Sequence, residues 1–343
     1  MRAPGPILGI ETSCDETAAA VITPDGAVRS NIIFSQQVHV DYGGVVPELA
    51  SREHAGRLPG IVAQALSAAS LGWGDLAGIA ITAGPGLVGC LLVGVSFARS
   101  AARAASMPLI AVNHLEGHAH TPAMTDPEIE YPHLVLIASG GHSSLVLVEE
   151  PGRFRLLGQT RDDAAGEALD KVGKWIGFDY PAGPALDREG FAGNPEAVSF
   201  PRALFEGQGY DFSFSGVKTA ALTDWEARRK GIKPEVPLPD WIASFEAAVM
   251  EALCAQLFRA AEDLNIRAVG LAGGVACNRR WRRMVNQWAE KTGRQAVIPA
   301  VNLCADNAAM IAAVGLYHWQ PADRCRYDFD AVPNWELGTP LPE

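Results

Sequence analysis

Short apolar runs broken by small polar turns occur in both halves of the chain. Ile7-Leu8-Gly9-Ile10 reads as a strand, followed by the polar turn Glu11-Thr12-Ser13-Cys14-Asp15-Glu16. A second strand over 17–23, a turn at Pro24-Asp25-Gly26 and a third strand over 27–33 complete the pattern. It returns at Leu134-Val135-Leu136-Ile137-Ala138, with the turn Ser139-Gly140-Gly141-His142-Ser143, a strand over 145–149, Glu150-Pro151-Gly152 and a strand over 154–158. Two such copies, each followed by helical periodicity, predict a duplicated α/β domain. Both first turns carry small hydroxyl residues suited to approaching a phosphate.

Helices are expected over 48–69, 164–176, 240–264, 277–292 and 305–319, with a strand over 268–272. The stretch 178–216 is rich in Gly, Pro and Phe, lacks a clean period and reads as an irregular excursion. After Pro321 the chain holds Pro321, Pro333, Pro340 and Pro342 and no period, which predicts an extended, partly mobile tail. The uncharged run from Leu76 to Ala98 has the length of a membrane span, but Gly84-Pro85-Gly86 interrupts it. It reads instead as a buried strand over 78–83, a tight loop and a buried helix over 87–104. Met1-Arg2-Ala3-Pro4-Gly5-Pro6 has no apolar signal-peptide core, so a cytoplasmic protein without membrane association is expected.

With 343 residues, 48% hydrophobic and 20% charged, the chain can build a sizeable core. Its net charge of −11 argues against an autonomous nucleic-acid binder, though not against a local basic patch. The six cysteines contain no Cys-x-x-Cys pair and look like reduced thiols rather than a zinc cage or disulfide framework.

The most pointed chemistry lies in His114-Leu115-Glu116-Gly117-His118, after the apolar run Pro108-Leu109-Ile110-Ala111-Val112. Imidazoles four residues apart lie about 40° apart around a helix, so they can grip one metal ion from one face. Ordinary helix histidines share this spacing. Asp306, at a helix start, has the position of an N-cap. As a third ligand it would complete a two-histidine, one-carboxylate set with open positions. Two glycine turns, Ser139-Gly140-Gly141 and Gly273-Gly274 before a helix, suit close approach of an anion to backbone N–H groups. Asp162 and Asp163 sit where acids cap a helix, whereas Asp170 lies two turns inside. Arg279-Arg280-Trp281-Arg282-Arg283 and Arg228-Arg229-Lys230 are basic clusters that suit either a phosphate backbone or a solvated helix face.

Together these strings resemble the TsaD family, the tRNA N6-adenosine threonylcarbamoyltransferases. The resemblance rests on Gly9-Ile10-Glu11-Thr12-Ser13-Cys14-Asp15-Glu16-Thr17, Val45 to His54, Thr82 to Gly89, His114 to His118 and Ser139-Gly140-Gly141-His142. It continues through Asp162 to Glu167, Asp211 to Gly216, Gly273-Gly274-Val275-Ala276 and Asp306-Asn307. It implies the duplicated actin-like ATPase (ribonuclease H-like) fold, α/β, with two lobes around a central cleft. The lobes are expected over 1–113 plus 308–320 and over 114–307, with 178–216 an insertion in the second and 321–343 the tail. The resemblance makes His114, His118 and Asp306 ligands of one divalent metal, for which Fe2+ or Zn2+ suits the donors. It makes Ile137, Ala138, Ser139, Gly140 and Gly141 a phosphate-side substrate loop, and puts Asp170, Gly183, Asp187 and Asn278 around the nucleotide. Arg279, Arg280, Arg282 and Arg283 are candidate tRNA contacts.

The implied reaction moves threonylcarbamoyl from threonylcarbamoyl-adenylate to N6 of adenosine 37, beside the anticodon of tRNAs reading codons that begin with A, and releases AMP. ATP or AMP is an alternative occupant of the nucleotide site. The implied partners are an inactive TsaB-like paralogue of the same fold and a small TsaE-like P-loop ATPase. Small departures stand at Cys90, Asn113, Ser143-Ser144, Cys277 and Ala308; none removes an expected ligand. A zinc protease would need Glu directly after the first histidine, where Leu115 stands, and Glu116 falls about 200° around the helix from His114. A small-molecule kinase of the same fold and a non-enzymatic scaffold are the other readings.

Overall fold

The two repeated strand patterns become two five-stranded mixed sheets. The structure is a computed structural model that describes residues 3–202, 209–322 and 327–342. The first elements are β1 (Ile7–Glu11), β2 (Glu16–Ile22), β3 (Val28–Ser35), α1 (Pro47–Ala69), β4 (Gly78–Gly84), α2 (Val88–Ala104), β5 (Leu109–Asn113) and α3 (His114–Thr125). Then come β6 (His133–Ala138), β7 (Ser143–Glu150), β8 (Arg153–Gln159), α4 (Ala165–Ile176), α5 (Gly183–Gly190), α6 (Ser215–Arg229) and α7 (Leu238–Asp263). The last are β9 (Ala268–Ala272), α8 (Arg279–Thr292), β10 (Gln295–Val297), α9 (Val301–Cys304) and α10 (Ala308–His318). The sheet orders are β3-β2-β1-β4-β5 and β8-β7-β6-β9-β10, the same topology twice. In each, a central strand pairs antiparallel with its successor and parallel with the strand that returns after a helix. The expected duplication is present.

Residues cluster into two units: Met1–Pro127, Glu150–Phe154 and Asp306–Glu343 form the first, Glu128–Glu149 and Arg155–Ala305 the second. This differs from a division at 113/114 and at 307/308. Strand β5 runs directly into α3, and α3 packs on α10, so the histidine helix and Asp306 belong with the first sheet.

In the first unit, β1 is buried along its whole length between helices, which is why it reads as an unbroken apolar run. Gly9 lets α10 come against it: a Cβ there would sit 2.7 Å from the Ala312 nitrogen. Leu8, Ile10, Leu58, Val62, Ile79 and Val95 form the core. The run from Leu76 to Ala98 divides into β4 and α2 as expected. Residues 327–342 of the tail hold no helix or strand, as expected, but they are anchored. Phe329 and Trp335 are buried in this same core, and Val332 donates its N–H to Ala83 at 2.7 Å. A proline-rich segment without period is here pinned by two aromatic anchors.

In the second unit, Leu134, Leu136, Phe212, Phe214, Trp241, Phe245, Leu271 and Trp281 pack together. Helix α7 is long and apolar enough to cross a membrane, the only such helix among the described residues, and 83% of its most apolar window is buried inside the protein. The stretch 178–216 contains α5; its residues 203–208 lie outside the described ones.

His133 on β6 is fully buried, and burial pushes its imidazole down to about 4 from 6.5. A depressed folded value means the unfolded chain takes the proton first as pH falls. The contribution is complete above pH ~6.5 and lost on the way to ~4, at most about 3 kcal/mol. Urea unfolding of His133→Gln at pH about 7 and about 4.5 should therefore show a smaller acid loss than the unsubstituted protein; parallel losses would exclude His133 as the cause.

Candidate metal centre and substrate loops

Asn113, the last residue of β5, caps α3: its side-chain oxygen accepts the Leu115 N–H at 2.9 Å and the Glu116 N–H at 3.4 Å. The cap starts the helix at His114 and puts His118 one turn on. Their rings lie 4.8 Å apart, edge to face. Asp306 Oδ1 is 3.0 Å from His118 Nε2 and 3.6 Å from His114 Nε2. One ligand atom from each residue lies within 4.8 Å of the others, and both histidines are buried. Asp306 is not the N-cap of the last helix. Asn307 takes that place, accepting the Met310 N–H at 3.1 Å, so α10 begins at Ala308 and the carboxylate turns to the histidines.

Glu11, at the end of β1, supplies a support that the sequence reading did not single out. It is fully buried; Oε2 lies 3.0 Å from His114 Nδ1 and accepts the Thr82 hydroxyl at 2.6 Å. Burial alone would drive protons off His114, but the charges of Asp306 and Glu11 and the Glu11 hydrogen bond raise its pKa to about 9. Burial would likewise raise Glu11, yet the His114 charge and hydrogen bond hold it below the usual glutamate value. The pocket is thus built to hold positive charge. A carboxylate on the outer nitrogen of a histidine also orients metal-ligating imidazoles. The buried His118 Nδ1 has no partner among the described residues. The donor set fits a divalent cation. For Glu11 the one visible signal in the sequence is an acid closing an apolar strand. Glu116 faces elsewhere, 2.6 Å from His318, which removes it from any protease-like role.

In the second unit, Ile137 and Ala138 are buried at the end of β6, and Gly140 and Gly141 are exposed with open space where side chains would stand. The Ser139 hydroxyl accepts the N–H groups of Gly141 and His142, so the turn is preorganised by its own serine. Gly273 follows β9 at φ 84°, where a Cβ would lie 2.6 Å from the Ala138 carbonyl carbon. Gly274–Cys277 is a 3-10 turn, so α8 begins at Arg279, two residues after the expected start at Cys277.

Asp170 reaches across to α5 and accepts the N–H of Ala182 at 2.8 Å and of Gly183 at 3.3 Å. It does cap a helix, though not its own. Asp162 does the same for α6, through the N–H of Phe214 at 2.7 Å, and Asp163 pairs with Lys171 and Lys218. The expected capping of α4 by these two acids is not found; Ala164 is its N-cap, with Glu167 accepting the Ala164 N–H. Asp187 accepts the Arg279 N–H at 2.9 Å and its guanidinium at 2.7 Å. Asn278 caps α8 through Trp281 N–H at 3.0 Å, and its amide nitrogen donates to Glu246 Oε1 at 2.8 Å. Glu246, on α7, was also missed; burial and the Asp187 charge raise its carboxyl to about 7, against Arg280 and the Asn278 bond.

The arginine cluster is not a uniform solvated face. Trp281 is buried in the core, and Arg282 is committed to the carbonyls of Ala276 and Pro299. Arg279 pairs with Asp187 over the Phe191 ring, which Arg283 also covers at 5.0 Å. In the second cluster Arg228 pairs with Asp224 and Lys230 with Glu226.

The sequence profile of TsaD, tRNA N6-adenosine threonylcarbamoyltransferase, matches residues 27–313. The enzyme of that name from Desulfitobacterium hafniense is 48% identical over 333 residues, 96% of this chain and 97% of the relative. Its counterpart from Syntrophotalea carbinolica is 46% identical, over 98% of this chain and 99% of the relative. Among solved structures, HypF from T. kodakarensis gives a TM-score of 0.60 at 14% identity, over 92% of this chain and 48% of that one. An activator of 2-hydroxyisocaproyl-CoA dehydratase from Clostridium difficile gives 0.53 at 13%, over 91% and 94%. These two likenesses establish the actin-like ATPase fold class.

Proposed function

The chain belongs to the TsaD family of tRNA N6-adenosine threonylcarbamoyltransferases, and on that premise we propose the full reaction and its site. Threonylcarbamoyl passes from threonylcarbamoyl-adenylate to N6 of adenosine 37 in tRNAs that read codons beginning with A. The N6–carbonyl bond forms, the carbonyl–phosphate oxygen bond breaks, AMP leaves with the electron pair, and N6 loses one proton. The donor is a mixed anhydride whose leaving group is already a stable anion, so no protein nucleophile is required.

The observation that carries this reading is the His114–His118–Asp306 set within a chain matched almost throughout by the family. His114, His118 and Asp306 would hold one divalent metal, Fe2+ or Zn2+, with Glu11 orienting His114. When bound, such an ion supplies positive charge where negative charge develops on the acyl donor. The chain's own groups bind and orient. Ile137 to Gly141 form the phosphate-side turn; Asp170, Gly183, Asp187 and Asn278 surround the nucleoside. Arg279 and Arg283, which are exposed, are the better tRNA candidates in their cluster; Arg280 is half-buried, and Arg282 is engaged by carbonyls. A TsaB-like paralogue, a TsaE-like ATPase and a cytoplasmic setting complete the proposal.

Reconstitution tests it. The protein is combined with threonine, bicarbonate, ATP, an enzyme that makes the adenylate, the two partners and unmodified tRNA, and the digested nucleosides are weighed. The expected result is a threonylcarbamoyl mass increment on adenosine 37 only in tRNAs of the stated class. An increment elsewhere, or phosphorylation of a small molecule without tRNA, would replace this reading.

A further inference from the structure

Glu246 is a carboxylate inside an apolar helix, 1% exposed, that none of the chemistry above employs. Burying such a group is costly unless it is bonded, so its partners show what it is for. Oε1 accepts the Asn278 amide N–H at 2.8 Å, while the other end of that amide accepts Trp281 N–H at 3.0 Å. The Trp281 N–H calls for the amide oxygen and the Glu246 carboxylate for the amide nitrogen, so the two together hold the oxygen toward α8 and the nitrogen toward α7. The other oxygen, Oε2, stands where a Cβ on Gly190 would come within 2.8 Å, so the end of α5 closes on the carboxylate. Asp187 on α5 raises its pKa and is itself bonded to Arg279, while Arg279 and Arg280 on α8 lower it.

We propose that Glu246 is a positioning residue for the nucleotide subsite, fixing the orientation of Asn278 and the seat of α5 against α7 and α8. This rests on the reading above that Asn278 meets the nucleotide. Glu246 acts through Asn278, by accepting one hydrogen bond. Gln at 246 can accept the same bond through its own oxygen; Met fills the space without accepting; Asp keeps the charge one methylene short.

The test is equilibrium binding of AMP to the full chain carrying E246Q, E246M, E246D or N278A, with circular dichroism and thermal midpoints for each. Loss of a charged hydrogen-bond partner predicts about tenfold weaker AMP binding for E246M and E246D. E246Q should bind within about threefold of the unsubstituted protein, a rescue that a purely structural role for the charge would not give. Should E246M fail to fold, E246D against E246Q decides. If N278A weakens AMP binding but E246M and E246D do not, the positioning role is overturned while the Asn278 reading stands. If N278A binds AMP normally, the Asn278 reading fails and with it any positioning through it.

Discussion

Asp306→Ala and His118→Ala are expected to yield folded proteins that retain no stoichiometric divalent metal and lose tRNA modification by at least about a hundredfold. The magnitude follows from the effect of perturbing even the outer partners of metal ligands, about ten- to a hundredfold. These two substitutions are cleaner than His114→Ala. Asp306 is partly exposed and does not cap α10, so its removal costs the fold little. His118 is buried, but its Nδ1 supports no neighbour. Removing His114, by contrast, strands Glu11 as a buried carboxylate without its counter-charge, which costs several kcal/mol. Metal content after dialysis, thermal midpoints and nucleoside mass analysis together separate ligation from folding. Full metal occupancy and full modification in Asp306→Ala would remove the carboxylate from the site.

How much of this was legible in the sequence depends on the range of the interaction. Strands β1, β6 and β9 are short apolar runs bounded by turns, and their positions follow from local pattern alone. The duplication was visible because the same order of strand and turn recurs. The histidine pair was legible as spacing. Its partner was not: an aspartate before a helix is ordinarily a cap, and only the geometry of Asn307 shows that the neighbouring residue holds that office. Asp162 reads as a cap of its own helix and Asp170 as no cap at all, yet both serve as caps. Each carboxylate caps a helix that begins elsewhere in the chain, and no local rule links Asp170 to Gly183 or Asp162 to Phe214. Glu11 and Glu246 were missed because a single acid in an apolar segment shows only that something unusual is buried. The partner that stabilises it, His114 or Asn278, lies far along the chain. The extended form of the tail was legible and its anchoring was not, because lack of period predicts lack of helix or strand and is silent on buried contacts.

That tail yields the other large effect. Trp335 is 7% exposed in the core of the first unit, and Phe329 is 2% exposed beside it. The segment between them is tied by Val332 N–H to Ala83, and Gly86 N–H returns to the Pro333 carbonyl at 3.1 Å. Tyr327 donates its hydroxyl to the Met107 carbonyl at 2.7 Å. Replacing a buried tryptophan by alanine costs about 3–5 kcal/mol through lost transfer energy and the cavity left behind. For a unit of this size that is a fall in thermal midpoint of about 10 °C. The effect should not stop at stability. The Trp335 carbonyl accepts the Asn113 amide N–H at 3.1 Å, and the same Asn113 side chain caps the helix carrying His114 and His118. Trp335→Ala should therefore loosen the cap and weaken metal retention, whereas Tyr327→Phe, which removes the hydroxyl bond to Met107, should leave metal retention unchanged. The measurement is the unfolding midpoint of the first unit, followed by a probe assigned to it, with metal content read on the folded fraction. An unchanged midpoint would mean that the tail merely lies on the surface. A lowered midpoint with undiminished metal binding would separate the tail's packing from the Asn113 link, leaving the cap self-sufficient.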